Sequence, residues 1–340
     1  MPRGGEISSM GKVATFLVGA LAIMLTGVWL LAPRVELSIA AADVAARNAI
    51  AALPSLEDIQ NWLESSEAEV ANLRPGSEKR VVWAGEPGEK TPISVVYVHG
   101  FSAGPEEIRP VPDNVAEALG ANLYFTRLTG HGRDGDAMSE ATAEDWMADY
   151  AEALAVGRAI GDKVVVISTS TGATLAALAT PFDWGTEDVA GLVFVSPNFK
   201  VKAAMASLLD WPGAHVWLPV IAGQERAFEP SSDGHAAHWT TRYPSSAVFP
   251  MAAVVRAARE MSYDETSVPV LFLTSPDDSV VDSAASAEVA ARWGGPVKAI
   301  SYDMGPGDDT FSHVIAGDIL SPGQTELVTS DILEWVNILP

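Results

Sequence analysis

Cysteine is absent from the 340 residues of this sequence. Its absence excludes disulfide bonds, thiolate metal sites and a cysteine nucleophile together. It does not indicate a compartment, because a chain without thiols suits oxidising and reducing surroundings equally well.

Basic residues are also scarce. The chain has 21 lysines and arginines against 44 aspartates and glutamates, which gives a formal net charge of −23 at pH 7. A surface this negative repels phosphate backbones, so we expect no nucleic-acid partner. The excess of acid favours a well-solvated surface, with steering of a cationic substrate as the alternative.

Signatures of cofactors and metals are missing as well. The sequence has no Walker loop, no G-x-G-x-x-G after a strand and no haem or flavin signature, so we expect no cofactor. His235 and His238 have the spacing of a metal-binding pair on a helix, but the sequence near them offers no third ligand. We therefore expect no metal site.

Residues 13–32, VATFLVGALAIMLTGVWLLA, form one uncharged apolar run. As a helix, about 20 such residues cross the hydrocarbon core of a membrane. The run predicts a transmembrane anchor after an N-terminal tail of residues 1–12, with the rest of the chain outside the cytoplasm (in the periplasm of a bacterium). Two alternatives stay open: a signal peptide cleaved near residues 40–42, which would leave a secreted protein, and a buried core helix.

Beyond this run the pattern becomes that of an α/β domain. Residues 33–76 are predicted as an acidic helical linker. From residue 77 onward, short apolar runs rich in β-branched residues alternate with helical segments, as in ISVVYV at 93–98 and KVVVIST at 163–169. Strict alternation predicts a mostly parallel central sheet with helices on both faces, built from residues 77–198 and 265–340.

Residues 199–264 interrupt this alternation. The segment is rich in aromatic residues and proline and shows no strand pattern. Its position after a strand predicts a cap, or lid, whose tryptophans Trp211, Trp217 and Trp239 would line an apolar pocket. The alternative is an ordinary helical excursion that packs on the core.

The candidate nucleophile follows the strand at 163–169. That strand runs directly into Ser168-Thr169-Ser170-Thr171-Gly172 and then into a helix. A serine on such a turn is exposed at the carboxyl end of the sheet, and the N–H of the next residue, Thr171, points to where an oxyanion would form. The pattern is G-x-S-x-G with Ser168 in place of the first glycine. A simple turn with a helix N-cap is the alternative.

Further motifs follow the other predicted strands. HGF at 99–101, GHGRDG at 130–135, SPDDSVVD at 275–282 and FSHV at 311–314 together resemble an α/β-hydrolase. The branch of monoacylglycerol lipases, lysophospholipases and serine aminopeptidases is the most similar, over about residues 79–340. The resemblance implies an α/β-hydrolase fold, carboxylesterase or lipase activity, and a second oxyanion N–H from Phe101.

The same resemblance implies a triad in the chain order Ser, Asp, His. Asp278 matches the family pattern for the acid, with Asp277 as the alternative, and His313 is the one histidine after the last predicted strand. Asp278 would orient His313, which would take the proton of Ser170.

The expected activity is hydrolysis of a lipophilic carboxylic ester through an acyl-serine intermediate. A serine aminopeptidase or amidase is the enzymatic alternative, and a non-catalytic, membrane-tethered binding protein is the third. The natural substrate and the oligomeric state do not follow from the sequence.

Overall fold

The computed structural model describes residues 6–339, with the side chains of residues 6–10 and 28–31 left out. Residues 1–5 of the predicted tail at 1–12 therefore lie outside the described residues, as do four side chains, 28–31, of the predicted anchor at 13–32.

Residues 6–339 contain nine strands and twelve α-helices. The strands are β1 Arg80–Val82, β2 Thr91–Val98, β3 Asn122–Phe125, β4 Gly161–Thr169, β5 Val189–Val195, β6 Glu225–Ala227, β7 Arg242–Pro244, β8 Val270–Thr274 and β9 Val297–Ser301. The helices are α1 Glu6–Leu31, α2 Ile39–Ala51, α3 Ile59–Ala68, α4 Val111–Leu119, α5 Ala143–Ile160, α6 Thr171–Ala179, α7 Asp183–Thr186, α8 Ala214–Ala222, α9 Asp233–His238, α10 Val248–Glu260, α11 Ser283–Ala290 and α12 Thr325–Val336.

Seven of the described strands form one twisted sheet in the order β1-β3-β2-β4-β5-β8-β9. Only the pair β1–β3 within it is antiparallel. Alternate residues of β4 enter opposite cores: Val164 and Val166 pack on one face of the sheet, and Val165 and Ile167 on the other. Burial on both faces explains why these strands appear in the sequence as continuous apolar runs.

Helices cover both faces of the sheet. α5, α6 and α11 contribute to one core, while α4 and α12 contribute to the other. α5 begins at the capping box that the sequence predicts, in which Thr142 Oγ1 accepts from Asp145 N–H and Asp145 Oδ2 accepts from Thr142 N–H. The predicted sheet with helices on both faces is thus confirmed.

The segment predicted as a linker at 33–76 packs on the domain. α2 lies against α5, and Ala42, Ala46, Ile59 and Leu63 are buried in the same core as α5 and α6. The small alanine side chains of α2 allow close approach to α5. This segment therefore contributes to the hydrophobic core and does more than connect.

The segment at 199–264 contains α8, α9, α10 and the antiparallel pair β6–β7. The sequence pattern predicted no strands in this segment. Each of the two has only three residues, which is too short for the alternation of apolar and polar residues to appear.

α1 covers the predicted membrane anchor. Crossing the hydrocarbon core takes about 20 consecutive apolar residues in one helix, and no helix among the described residues is long and apolar enough to do so. The prediction of a transmembrane anchor at 13–32 is therefore not supported. The membrane partner and the membrane-anchored location, which rested on it, are not supported either.

Candidate active site

The side chains of Ser170, His313 and Asp278 form one hydrogen-bonded chain. His313 Nε2 lies 3.1 Å from Ser170 Oγ, and His313 Nδ1 lies 2.8 Å from Asp278 Oδ2. The three residues belong to separate loops after β4, β8 and β9. They meet because parallel strands end at the same edge of a sheet.

Ser170 stands at a sharp turn between β4 and α6. Its φ of +51° is rare for a residue other than glycine. The turn is held by two backbone hydrogen bonds: Ser170 N–H donates to Val195 O at 2.9 Å, and Asn198 N–H donates to Ser170 O at 3.1 Å. This backbone projects the serine hydroxyl away from the sheet toward His313.

Ser168 occupies the place of the first glycine of the motif. It is fully buried, and its Oγ donates to Val193 O on the neighbouring strand at 3.2 Å. A buried hydroxyl with a partner carries little penalty. The departure from G-x-S-x-G is therefore accommodated inside the sheet.

Gly172, the last residue of the motif, lies directly against β2. A Cβ at this position would meet Val98 O at 2.4 Å and His99 O at 2.7 Å. We expect Gly172→Ala to push α6 away from β2, to destabilise the fold by about 1–3 kcal/mol and to lower activity by displacing Ser170. Chemical denaturation and steady-state kinetics measure both effects.

Gly85→Ala is the matched control for this substitution, because its Cβ would meet nothing nearer than Glu89 Oε2 at 3.8 Å. A Gly172→Ala variant as stable as Gly85→Ala would contradict the steric argument.

Asp278 is 1% exposed and its carboxylate is fully engaged. Oδ1 accepts from Val280 N–H at 2.8 Å and from Val281 N–H at 2.9 Å, while Oδ2 faces His313. Its neighbour Asp277 is exposed to solvent. Of the two acids that the sequence left open, the structure brings Asp278 to the histidine.

His313 is held by its own loop. Asp309 Oδ2 accepts from the backbone N–H of His313 and of Val314, each at 3.0 Å. Burial alone would lower the pKa of His313, but the hydrogen bond and the charge of Asp278 outweigh it, and the pKa lies above its usual value. An imidazole with a raised pKa is a stronger base toward a serine hydroxyl.

The loop after β2 carries the predicted oxyanion residue Phe101. His99 Nδ1 donates to Gly100 O at 2.8 Å, and His99 Nε2 accepts from Leu128 N–H at 3.1 Å. Burial lowers the pKa of His99 to about 4, so the ring is neutral and can donate through one nitrogen and accept through the other. Because Gly100 O and Phe101 N–H share one planar peptide, His99 sets the direction of the Phe101 N–H.

Thr171, the other predicted oxyanion residue, is the first residue of α6 and is buried. Its N–H lies at the positive end of that helix, which favours negative charge. The predicted N–H groups thus lie at the start of α6, directly after Ser170, and on the loop after β2. Their role toward an oxyanion stays a prediction.

Glu107 is a neighbour of the site that the sequence analysis did not identify. It is 3% exposed, and its Oε2 accepts from Gly100 N–H at 2.7 Å and from Tyr97 Oη at 2.8 Å. The only available signal was an acid a few residues after His-Gly, and nothing in that spacing tells a buried acid from an exposed one.

A cavity of about 450 Å³ opens onto Ser170 and His313. Its wall is mostly apolar and includes Met205, Leu209, Leu218, Phe228, Trp239 and Met251. Of the three tryptophans expected to line a pocket, Trp239 does so. Trp211 and Trp217 instead pack edge to face, with ring centres 6.3 Å apart.

The part of the chain that resembles known proteins is the part that carries the site. Residues 95–316, from β2 to the loop that carries His313, match the model of the alpha/beta hydrolase family. The chain belongs to the alpha/beta hydrolase family. The match covers more than half of this hydrolase and includes the three residues of the hydrogen-bonded chain.

Among curated proteins, the hydrolase is similar to the thermostable monoacylglycerol lipase of Bacillus sp. (strain H-257). The two are 26% identical over 202 residues, which cover 57% of this chain and 73% of the relative. The resemblance to the monoacylglycerol lipase branch is thereby confirmed. The protein is a lipase- or esterase-like α/β-hydrolase.

Solved structures show the same fold. A structure from a study of the metagenome-derived lipolytic enzymes LipS and LipT covers 78% of this chain and 99% of its own, with a TM-score of 0.63 and 21% identity. A soluble variant of the Saccharomyces cerevisiae monoglyceride lipase covers 76% of this chain and 91% of its own, with a TM-score of 0.54 and 12% identity. The monoacylglycerol lipase of Paleococcus ferrophilus covers 76% and 97%, with a TM-score of 0.52 and 15% identity. At these identities the likeness concerns the fold.

Proposed function

We propose that this hydrolase cleaves carboxylic esters through an acyl-serine intermediate, with Ser170 as nucleophile, His313 as base and Asp278 as the residue that orients the base. The observation that carries the proposal is the chain of hydrogen bonds Ser170–His313–Asp278 at the wall of an apolar cavity. Nucleophile, base and orienting acid within hydrogen-bond reach are what acyl transfer to a serine requires.

Acylation begins when His313 Nε2 takes the proton of Ser170 Oγ, and Oγ attacks the ester carbonyl carbon. The carbonyl oxygen becomes an oxyanion, which the N–H groups of Phe101 and Thr171 stabilise. His313 then gives its proton to the leaving alcohol as the C–O bond breaks. Asp278 keeps the proton on Nδ1 throughout and stabilises the imidazolium.

Deacylation repeats these steps with water. His313 takes a proton from the water as it attacks the acyl-serine carbonyl, and the second tetrahedral intermediate uses the same two N–H groups. Collapse of this intermediate returns the proton from His313 to Ser170 Oγ and releases the carboxylic acid.

The substrate that the cavity fits is an ester with an acyl chain. Apolar side chains form most of its wall, and burial of each methylene there is favourable by about 0.8 kcal/mol. The monoacylglycerol lipase relatives support the same class of substrate. We propose that residues 199–264, which supply Met205, Leu209, Leu218, Phe228, Trp239 and Met251, act as the cap over this cavity.

Labelling by a fluorophosphonate probe tests the serine chemistry, because the probe reacts only with an activated serine. We expect labelling of the wild-type protein and hydrolysis of aryl esters. An unlabelled, inactive protein would support the non-catalytic binding protein. Faster turnover of aminoacyl p-nitroanilides than of aryl esters would support the aminopeptidase or amidase alternative.

The cavity leads to a prediction on chain length. Each methylene added to a p-nitrophenyl ester is expected to raise kcat/KM by up to about fourfold until the cavity is full. Trp239→Ala should flatten this dependence, because it removes a large part of the cavity wall. Trp211→Ala, the same substitution outside the wall, should leave it unchanged.

The comparison needs only the initial rates of a homologous series from acetate upward. A wild-type series that falls steadily from acetate onward would exclude an acyl pocket, while the serine chemistry would stand.

A further inference from the structure

Glu107 lies beside the nucleophile on the wall of the cavity. A methyl group placed on Gly100 would meet Glu107 Oε1 at 2.7 Å and Ser170 Cβ at 3.0 Å, so the carboxyl and the nucleophile flank the same small space. Position 100 therefore has room only for glycine. The mechanism proposed above gives Glu107 no part.

The contacts of Glu107 connect it to the loop that carries Phe101. Its Oε2 accepts a hydrogen bond from Gly100 N–H, and the carbonyl oxygen of the same glycine accepts from His99 Nδ1. The same oxygen accepts from Tyr97 Oη, which in turn lies 3.1 Å from Thr169 Oγ1, next to Ser170. Glu107 thus accepts from the N–H of Gly100 while His99 donates to its carbonyl oxygen. These two hydrogen bonds fix the orientation of the Gly100–Phe101 peptide and with it the direction of the Phe101 N–H.

The carboxyl of Glu107 lies near the imidazole of His313, and in the described part of the chain it forms no salt bridge. Among the described residues no lysine or arginine pairs with its carboxyl, whereas the adjacent Glu106 pairs with Arg80 and Arg109. Burial raises the pKa of Glu107 to about 7, although its bonds to Gly100 and Tyr97 oppose the shift.

We propose that Glu107 is a positioning residue of the esterase site, which holds the Gly100–Phe101 peptide in place beside Ser170 and adds its negative charge to the cavity wall that it shares with His313. The inference rests on the proposed ester hydrolysis at Ser170. It assigns Glu107 no contact with substrate.

The groups that face this carboxyl explain the direction of the effect. Tyr97 on β2 donates to it, and His313, on the loop after β9, is close enough that the charge of Glu107 helps to raise its pKa. Asp278 and Asp309 act on His313 in the same direction. Removing only the charge of Glu107 therefore lowers the pKa of His313, and the neutral imidazole persists to lower pH.

Glu107→Gln tests this directly, since the amide oxygen can still accept from Gly100 N–H and Tyr97 Oη while the charge is gone. We expect the acid limb of kcat/KM against pH to move to lower pH by about half a unit or more, with kcat at its plateau within a few-fold of the wild type. Glu106→Gln removes a neighbouring charge that faces Arg80 and Arg109, and its profile should match the wild type.

Glu107→Ala separates positioning from charge. It leaves Gly100 N–H buried without its acceptor and Tyr97 Oη with Thr169 Oγ1 as its remaining neighbour. We therefore expect kcat to fall by about tenfold or more with KM little changed. Recovery of most of kcat in Glu107→Gln would show that the hydrogen bonds, and not the volume of the side chain, are responsible.

Tyr97→Phe keeps the proposal testable if the Glu107 variants do not fold. Loss of the Tyr97 donor raises the pKa of Glu107 further, so less of its negative charge acts on His313. The acid limb of the Tyr97→Phe variant should therefore move in the same direction as in Glu107→Gln, by a smaller amount. Acid limbs that superimpose on the wild type in the folded variants would overturn the proposal. Failure of the wild-type protein to react with a fluorophosphonate would instead overturn the esterase function itself.

Discussion

Ser170→Ala is expected to lower kcat for ester hydrolysis by about 10⁴- to 10⁶-fold, because acyl transfer would lose its nucleophile and the remaining groups cannot supply another. His313 Nε2 would face a methyl group in place of the hydroxyl that now lies at 3.1 Å. Hydrolysis of a p-nitrophenyl ester and labelling by a fluorophosphonate both measure the loss.

The stability of this variant serves as its control. Serine and alanine share the same Cβ, so the strained φ of +51° is equally costly for both, and the backbone bonds to Val195 and Asn198 are retained. Thermal unfolding should therefore match the wild type. A folded variant that keeps more than a few per cent of activity would show that Ser170 is not the nucleophile.

Asp278→Asn is expected to lower kcat by about 10⁴-fold through the tautomer of His313. The carboxylate now accepts from three N–H groups: Val280, Val281 and the ring of His313. An amide has one oxygen. If that oxygen stays with the two backbone donors, the amide N–H₂ faces Nδ1, which must then be unprotonated. The ring proton moves to Nε2, and a protonated Nε2 cannot accept the hydrogen bond from the Ser170 hydroxyl.

Asp277→Asn is the matched control, with the same change one residue earlier in the chain. Asp277 is exposed and its carboxyl is not bonded to His313, so kcat and its pH dependence should change little. Equal losses in the two variants, or a loss only in Asp277→Asn, would contradict the assignment of the acid. Unfolding measured beside the kinetics separates a wrong tautomer from a disrupted loop.

Much of the core could be predicted from the sequence because its signals are local. A strand buried on both faces is apolar at most of its positions, which made β2 and β4 visible as ISVVYV and KVVVIST. The strand–serine–helix junction was visible for the same reason, since Ser170 follows β4 and precedes α6 without a gap. The apolar run at 13–32, also a local signal, led to the one membrane prediction that the structure does not support.

The α/β class, the sheet with helices on both faces and the candidates Ser170, Asp278 and His313 thus followed from local patterns in the sequence. The folded structure was needed to find the contacts that those candidates and their neighbours make. It brought Asp278 rather than Asp277 to His313, packed α2 on α5, and buried Glu107 against Gly100 and Tyr97. Each of these contacts joins residues of different elements or loops, and periodicity carries information only about neighbours along one element.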